Sequence, residues 1–344
     1  MAIKKEEVLK ALEGVIYFPK HDHVVALNMV RDIRVEGKKV SFALFFPERD
    51  ERNENTVRQS CISAIVNNVD LDADVSVEIR YPANPLARIK YIVAIASGKG
   101  GVGKSTVAVN LAVALSKKGF RTGILDADIY GPSIPLMFDL VDAKPAVHEE
   151  GGQQWIQPIE KYGSRVLSIG FFVDPSQALI WRGPMASNAL KQLLNDTDWG
   201  ELDYLVIDLP PGTGDIHLTL AQDFKVSGIA IVTTPQEVAL ADARKALSMF
   251  NQEKIRIPIL GLIENMSYFT PAELPDNKYY IFGQAGGKKL AEKAGVPLLG
   301  EIPLVQGICD SGDKGTPISL DDTSPVTKAF MELAANIDKE IRKK

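Results

Sequence analysis

The stretch SGKGGVGKST, residues 97–106, decides how this chain is read. Gly98, Gly103, Lys104 and Ser105 satisfy G-x-x-x-x-G-K-[ST], a loop whose small residues let backbone N–H groups close around phosphate oxygens while the lysine adds a compact positive charge. Its flanks fit that reading. The apolar, partly β-branched run YIVAIAS (91–97) predicts a buried parallel strand, and residues 106–119, rich in Ala and Leu and closed by a glycine, predict a helix. Strand, glycine loop and helix N-terminus in that order aim a helix dipole at an anion. The loop carries one lysine more than this task needs, Lys99.

Composition narrows the class. A chain of 344 residues, 45% hydrophobic and 24% charged, can bury one sizeable core and a small second one. Acidic residues outnumber basic ones, 44 to 39, for a net charge of −5, which argues against nucleic acid as a partner. No stretch approaches the roughly 20 apolar residues of a membrane span, and the charged N-terminus lacks the apolar core of a signal peptide. The sequence therefore predicts no stable membrane insertion and a cytoplasmic location. Two cysteines, Cys61 and Cys309, make no disulfide framework and suit a reducing compartment.

Three segments are expected: a small α+β domain over 1–81, a linker over 82–90 that holds Pro82 and Pro85, and an α/β domain over 91–344. The first reads as α-β-β-α-β, with two strands within 23–46 around the turn Glu36-Gly37-Lys38, a helix over 56–68 and a strand over 75–80. After the linker, strands and helices alternate, which implies a mostly parallel sheet with helices on both faces. Its strands should include residues 122–128, 204–210, 228–235, 259–265 and 297–303.

Active residues of such a sheet belong at the carboxyl ends of its strands. Asp208 ends one apolar run, where an acid can hold Mg²⁺, and the stiff turn Pro210-Pro211-Gly212 follows it, so the Gly212 N–H could meet a γ-phosphate. Asp126 and Asp128 end another run, and Asp128 enters a Gly/Pro-rich loop where an acid can position an attacking water. Each aspartate alone could equally be a helix cap or turn residue. Three of them beside a phosphate loop favour chemistry.

GKGGVGKST resembles the deviant Walker A loop of the MinD, ParA and nitrogenase iron-protein class of P-loop ATPases, which the extra lysine identifies. Within that class DADIYGPSIP (126–135), WRGPM (181–185), DLPPGTGD (208–215), TTPQEVALAD (233–242) and ENMSYF (264–269), in that order, are similar to the Mrp-type iron–sulfur cluster carrier ATPases over about residues 90–320. The first domain resembles, more loosely, the small iron–sulfur assembly domain of many bacterial members. The resemblance implies an ATP- and Mg²⁺-dependent homodimer that hydrolyses ATP and passes clusters to apo iron–sulfur proteins, alongside assembly factors. It implies that Lys99 acts on the partner's phosphates. In this reading Gly98, Lys99, Gly100, Gly101, Val102, Gly103, Lys104, Ser105 and Thr106 hold the nucleotide phosphates, with Ser105 and Asp208 on Mg²⁺, Asp128 on the water and Gly212 near the γ-phosphate. Asn265 matches the residue that bonds adenine; a buried asparagine capping a strand end is its alternative.

One departure bears on function. The family commonly carries C-x-x-C, which binds a cluster between two protomers, after ENMSYF; here that interval is TPAELPDNKYY (270–280), without cysteine. A homodimer of this chain therefore offers at most four thiolates. Cys309 is the candidate ligand, or else a small hydrophobe in a turn; Cys61 reads as helix packing. His21 and His23 read as solvated. Val326, Phe330, Leu333, Ile337 and Ile341 mark one face of a C-terminal helix, which either packs on the sheet or targets a membrane. Two other functions fit the same loop: a MinD- or ParA-like positioning ATPase, and a nucleotide-binding assembly scaffold without a cluster of its own.

Overall fold

Apolar runs with no polar face must be covered on both sides, and the central strand of the larger sheet meets that demand: Val93, Ala94, Ile95 and Ala96, whose side chains alternate between the faces, are all fully buried. The computed structural model describes residues 3–47, 50–81, 84–150, 153–173, 181–253, 255, 257–271, 273–274 and 277–344. It divides into two units, Met1–Asn84 and Pro85–Lys344.

The second unit is built on eight strands in the order Ile159–Lys161, Ser164–Ser168, Thr122–Asp126, Leu202–Asp208, Ile89–Ala96, Gly228–Thr233, Ile259–Glu264, Leu298–Glu301. The first pair is antiparallel and every other pair is parallel. This is the mostly parallel α/β sheet that the alternating pattern predicts. Chain order reverses about Ile89–Ala96, which leaves a crevice at its carboxyl end. Asp208 pairs in register with Asp126 on one neighbour and with Ile95 on the other, so the acids and the glycine loop meet at that crevice.

Two features were not foreseen. Ile159–Lys161 and Ser164–Ser168 extend one side of the sheet as an antiparallel pair, and Ala146–Glu150 pairs with Gln153–Gln157 as a separate hairpin. SRVLS is short, with a polar residue at each end, and it follows a reversal in which Tyr162 and Gly163 both have positive φ, at 50° and 72°. The second unit also starts earlier than the linker reading has it. Pro85–Arg88 forms a 3₁₀ turn with Pro85 buried, and the strand begins at Ile89. Pro82 and Ala83 lie outside the described residues.

The C-terminal helix, Pro325–Ile341, is capped by Ser324 and packs on the loop helix Lys104–Lys117 and on Leu298–Glu301. Val326, Phe330, Leu333, Ile337 and Ile341 are all buried, so the stripe is core. Among the described residues no helix is long and apolar enough to cross a membrane.

In the first unit Val30–Glu36 runs antiparallel to Lys39–Phe45, and Asp74–Arg80 joins it in parallel through the crossover helix Glu51–Asn68. A helix, Lys5–Leu12, precedes them. The first long strand starts at Val30 because the chain turns over residues 24–28, where Asn28 takes a φ of 52°. Cys61 is fully buried beside Val57 and Ile65, and burial pushes its thiol up to about 12.

Candidate nucleotide site

The glycine loop is shaped by what surrounds it. Gly101 and Gly103 have φ of +80° and +81°, the left-handed region where a side chain is strained. A Cβ at Gly98 would overlap the Asp242 carbonyl, and one at Gly103 would overlap the Asn265 amide, so helix Glu237–Phe250 and the end of Ile259–Glu264 press against the loop. Asn265 Nδ2 donates to the Val102 carbonyl at 2.8 Å, and Ser97 Oγ donates to the Lys99 carbonyl at 2.9 Å. Helix Lys104–Lys117 then begins. Among the described residues no acceptor meets the N–H groups of Lys104, Ser105 or Thr106, the orphan donors of a helix start.

Beside these donors sits a buried charge cluster. Lys104 Nζ lies 2.6 Å from Asp208 Oδ1 and 3.6 Å from Asp128 Oδ2, and it donates to Ser105 Oγ at 3.3 Å. Asp208 Oδ2 is buried with no partner among the described residues. Burial raises the Asp208 and Asp128 carboxyls above the usual range, with Lys104 opposing the shift in both. Asp126 is raised to about 7, by burial first and the Asp208 charge second. It accepts from Asp128 N (3.1 Å), Ile134 N (3.1 Å) and Ser168 Oγ (3.0 Å). Asp126 thus organises the loop that carries Asp128, a role the sequence did not disclose. One carboxylate oxygen of Asp208, unpaired beside the Ser105 hydroxyl, gives the hard oxygen donors that suit Mg²⁺.

The predicted residues divide by position. Gly98 through Thr106, Asp128, Asp208 and Asn265 converge on the crevice. Lys99 is exposed and has no ion pair among the described residues. Gly212 is close by at a φ of +95°, but its N–H donates to the Ser97 carbonyl at 2.9 Å, so this amide is engaged. His217 sits one turn beyond, 1% exposed against Phe250, with neither ring nitrogen in hydrogen-bond geometry. Burial holds it down to about 4 against the raising effect of the Gly214 and Pro210 carbonyls, so it is neutral at physiological pH.

Cys309 stands on helix Gln306–Asp313, exposed, and borders a cavity of about 290 Å³ that Gly103, Thr106 and Asn265 also line. Among the described residues no three His, Cys, Asp or Glu side chains group to hold a metal, His21 and His23 included. At the interval 270–280, Phe269 and Tyr279 exchange backbone hydrogen bonds of 2.8 Å; Ala272, Pro275 and Asp276 lie outside the described residues. A larger cavity of about 470 Å³ lies at the other end of the strands. There Arg121 pairs with Glu201 and Arg165 with Glu160, which leaves little net attraction for phosphate.

Residues 88–338 match the model of the NUBPL iron-transfer P-loop NTPase family, and residues 5–79 match that of an iron–sulfur cluster assembly protein family. The iron–sulfur cluster carrier protein of Synechocystis sp. is 43% identical over 323 residues, covering 91% of each chain. A nucleotide-binding protein of Archaeoglobus fulgidus, solved in complex with ADP, is 38% identical, with a TM-score of 0.61 over 72% of this chain and 94% of that one. The cell division ATPase MinD of Pyrococcus furiosus, 23% identical with a TM-score of 0.51 over 73% of this chain and 99% of its own, shares the fold.

Proposed function

The chain belongs to the NUBPL iron-transfer P-loop NTPase family, and from that premise we propose that it binds and hydrolyses ATP in order to pass iron–sulfur clusters to apo-proteins. The observation that carries this reading is the meeting of Lys104, Asp128 and Asp208 with the unsatisfied first-turn amides of helix Lys104–Lys117. Free N–H groups, a buried lysine and acids at adjacent strand ends are what binding a nucleoside triphosphate requires.

In this account the amides of Gly100 to Thr106 and the Lys104 ammonium take the phosphates, and Asn265 reads the base. Ser105 and Asp208 would hold Mg²⁺, which offsets phosphate charge when bound. Lys104 must leave Asp208 and Asp128 to reach a phosphate. Asp128 then loses the cation that opposes its desolvation, so its carboxylate becomes a better proton acceptor for the attacking water. Asp126 keeps Asp128 aimed through the bond to its N–H. Lys99, exposed and without an ion pair among the described residues, reaches the partner's phosphates in a homodimer.

Cargo places a different demand on the chain. Cys61 is buried and its thiol is held far from ionisation, which leaves Cys309 as the accessible thiolate this chain can offer. One thiolate per protomer does not complete the ligand set of a cluster, so a cluster in transit is held weakly and takes its other ligands from outside the chain. Weak holding suits a carrier. Such work belongs in the reducing cytoplasm. The direct test is ATP turnover across a range of protein concentrations: specific activity that rises with concentration supports the dimeric ATPase, and no turnover with or without a client rejects it.

A further inference from the structure

We propose that His217 is a positioning residue for the triphosphate state: when a γ-phosphate draws off the Gly212 N–H, the turn over residues 210–214 shifts and the His217 imidazole N–H closes onto the Pro210 carbonyl. The inference rests on the reading of the glycine loop as a nucleotide site and adds to it a group that tells ATP from ADP.

The turn after Asp208 is lightly held. Among the described residues its backbone bonds are Gly212 N–H to the Ser97 carbonyl, at 2.9 Å, and His217 N–H to the Gly214 carbonyl, at 3.1 Å, which opens helix Asp215–Asp223. Pro211, Thr213 and Gly214 are exposed. The turn also lies against the phosphate loop, since a Cβ on Gly100 would come to 3.9 Å from Pro211 Cγ.

Beneath the turn sits a buried imidazole that bonds to nothing. His217 is 1% exposed, and among the described residues neither Nδ1 nor Nε2 has a hydrogen-bond partner. Buried polar groups left in this state are rare and lower stability for as long as they stay unpaired, so a state in which the ring is paired has an advantage. A partner is at hand. The Pro210 and Gly214 carbonyls are near enough to favour a proton on the ring, though out of bonding geometry. The Gly214 carbonyl already accepts from the His217 amide, whereas among the described residues no donor meets the Pro210 carbonyl. An unpaired donor and an unpaired acceptor are thus kept apart by a turn that the Gly212 to Ser97 bond holds in place.

A terminal phosphate alters that balance. Its charged oxygens accept N–H bonds more strongly than a neutral carbonyl does, so it competes with Ser97 for the Gly212 amide. The turn is then free to move. At neutral pH the ring is uncharged and carries one N–H, which pairs with Pro210. That bond forms only with the γ-phosphate present, which gives the triphosphate the differential free energy that a population shift requires. ADP lacks the phosphate and leaves the turn as it is. Helix Asp215–Asp223 carries the shift to helix Gly183–Asn195, because the Asp215 carboxylate abuts Gly183 and Thr219 Oγ1 donates to Ser187 Oγ at 2.8 Å.

The experiment follows the full-length protein, labelled with ¹⁵N-histidine, by NMR, with His217 assigned among the four histidines by its loss in His217→Leu and His217→Gln. Mg²⁺ with a non-hydrolysable ATP analogue should shift the ring N–H signal and slow its exchange with solvent by about tenfold or more, while Mg²⁺ with ADP should leave it in place. In binding measurements His217→Leu should keep the parent's affinity for ADP and lose about tenfold in affinity for the analogue, a split that a merely structural role would not produce. An amide donor put back by His217→Gln or His217→Asn should return part of the preference. A ring signal in the parent that responds alike to ADP and the analogue, or a His217→Leu protein that prefers the analogue over ADP as strongly as the parent does, overturns the proposal and leaves the nucleotide site standing. A parent that binds neither nucleotide overturns both.

Discussion

Lys104 Nζ and Asp208 Oδ1 stand 2.6 Å apart with both side chains buried, so the lysine proposed for phosphate is held by the acid proposed for the metal. Burial still raises the Asp208 carboxyl despite this partner, which means that desolvation outweighs the pairing. The buried pair is thus a costly arrangement, and in the proposed account a phosphate that draws Lys104 away would relieve it. Lys104→Ala should abolish hydrolysis, weaken ATP binding and, by leaving Asp208 unpaired, destabilise the free protein by about 3 kcal/mol at neutral pH. Lys104→Ala/Asp208→Asn should regain most of that stability in urea unfolding and none of the activity. A double variant no more stable than the single one contradicts this picture of the pair.

Lys99 should behave differently. Lys99→Ala is expected to keep ATP affinity and lose turnover, because in the proposed homodimer the group serves the partner's site. Mixing the Lys99→Ala and Lys104→Ala proteins should restore part of the activity, since one site in each heterodimer has its own Lys104 and the partner's Lys99. Confirmed heterodimers without turnover would count against action in trans.

Two buried groups give opposite pH dependence. His217 is lowered from 6.5 to about 4, so the unfolded chain binds the extra proton and His217 takes stability away as pH falls from 6.5 towards 4. Asp126 is raised from 3.8 to about 7; its contribution is full below 3.8 and is lost as pH rises towards 7. Relative to the parent, His217→Leu should gain about 3 kcal/mol between pH 6.5 and pH 4. Asp126→Asn should gain relative to the parent as pH rises from 4 to 7. Urea unfolding at several pH values reads both slopes, and parallel curves for variant and parent would reject the assignment.

The C-terminal stripe makes a prediction about stability. Phe330 is fully buried against the core, so Phe330→Ala should cost about 3–5 kcal/mol. Vesicle sedimentation of the parent should show no binding. A small stability loss combined with vesicle binding would revive the membrane-targeting role.

Legibility in the sequence followed the locality of the physics. The placement of the glycine loop, Asp128 and Asp208 at one crevice could be read because each sits within a few residues of a strand end. Asp126 was visible as an acid but not as an organiser, since its partners Ile134 and Ser168 come from the start of a short helix and from a strand that the pattern did not reveal. That the Gly212 amide is engaged could not be read, because nothing local shows that Ser97 accepts from it. Cys309 was furthest from reach. It lies some two hundred residues beyond the glycine loop in the chain, and only tertiary packing brings helix Gln306–Asp313 to the cavity shared with Gly103 and Thr106.

The central claim, an ATP-driven carrier of iron–sulfur clusters, is tested most directly by cluster transfer. The protein is reconstituted anaerobically with iron and sulfide, mixed with an apo iron–sulfur protein whose activity reports cluster arrival, and followed with and without Mg²⁺ and ATP, beside Lys104→Ala. The account predicts a labile cluster, lost in Cys309→Ser and kept in Cys61→Ser, and a transfer rate that depends on ATP in the parent but not in Lys104→Ala. A protein that binds and hydrolyses ATP, yet activates the client no faster than free iron and sulfide do, would contradict it.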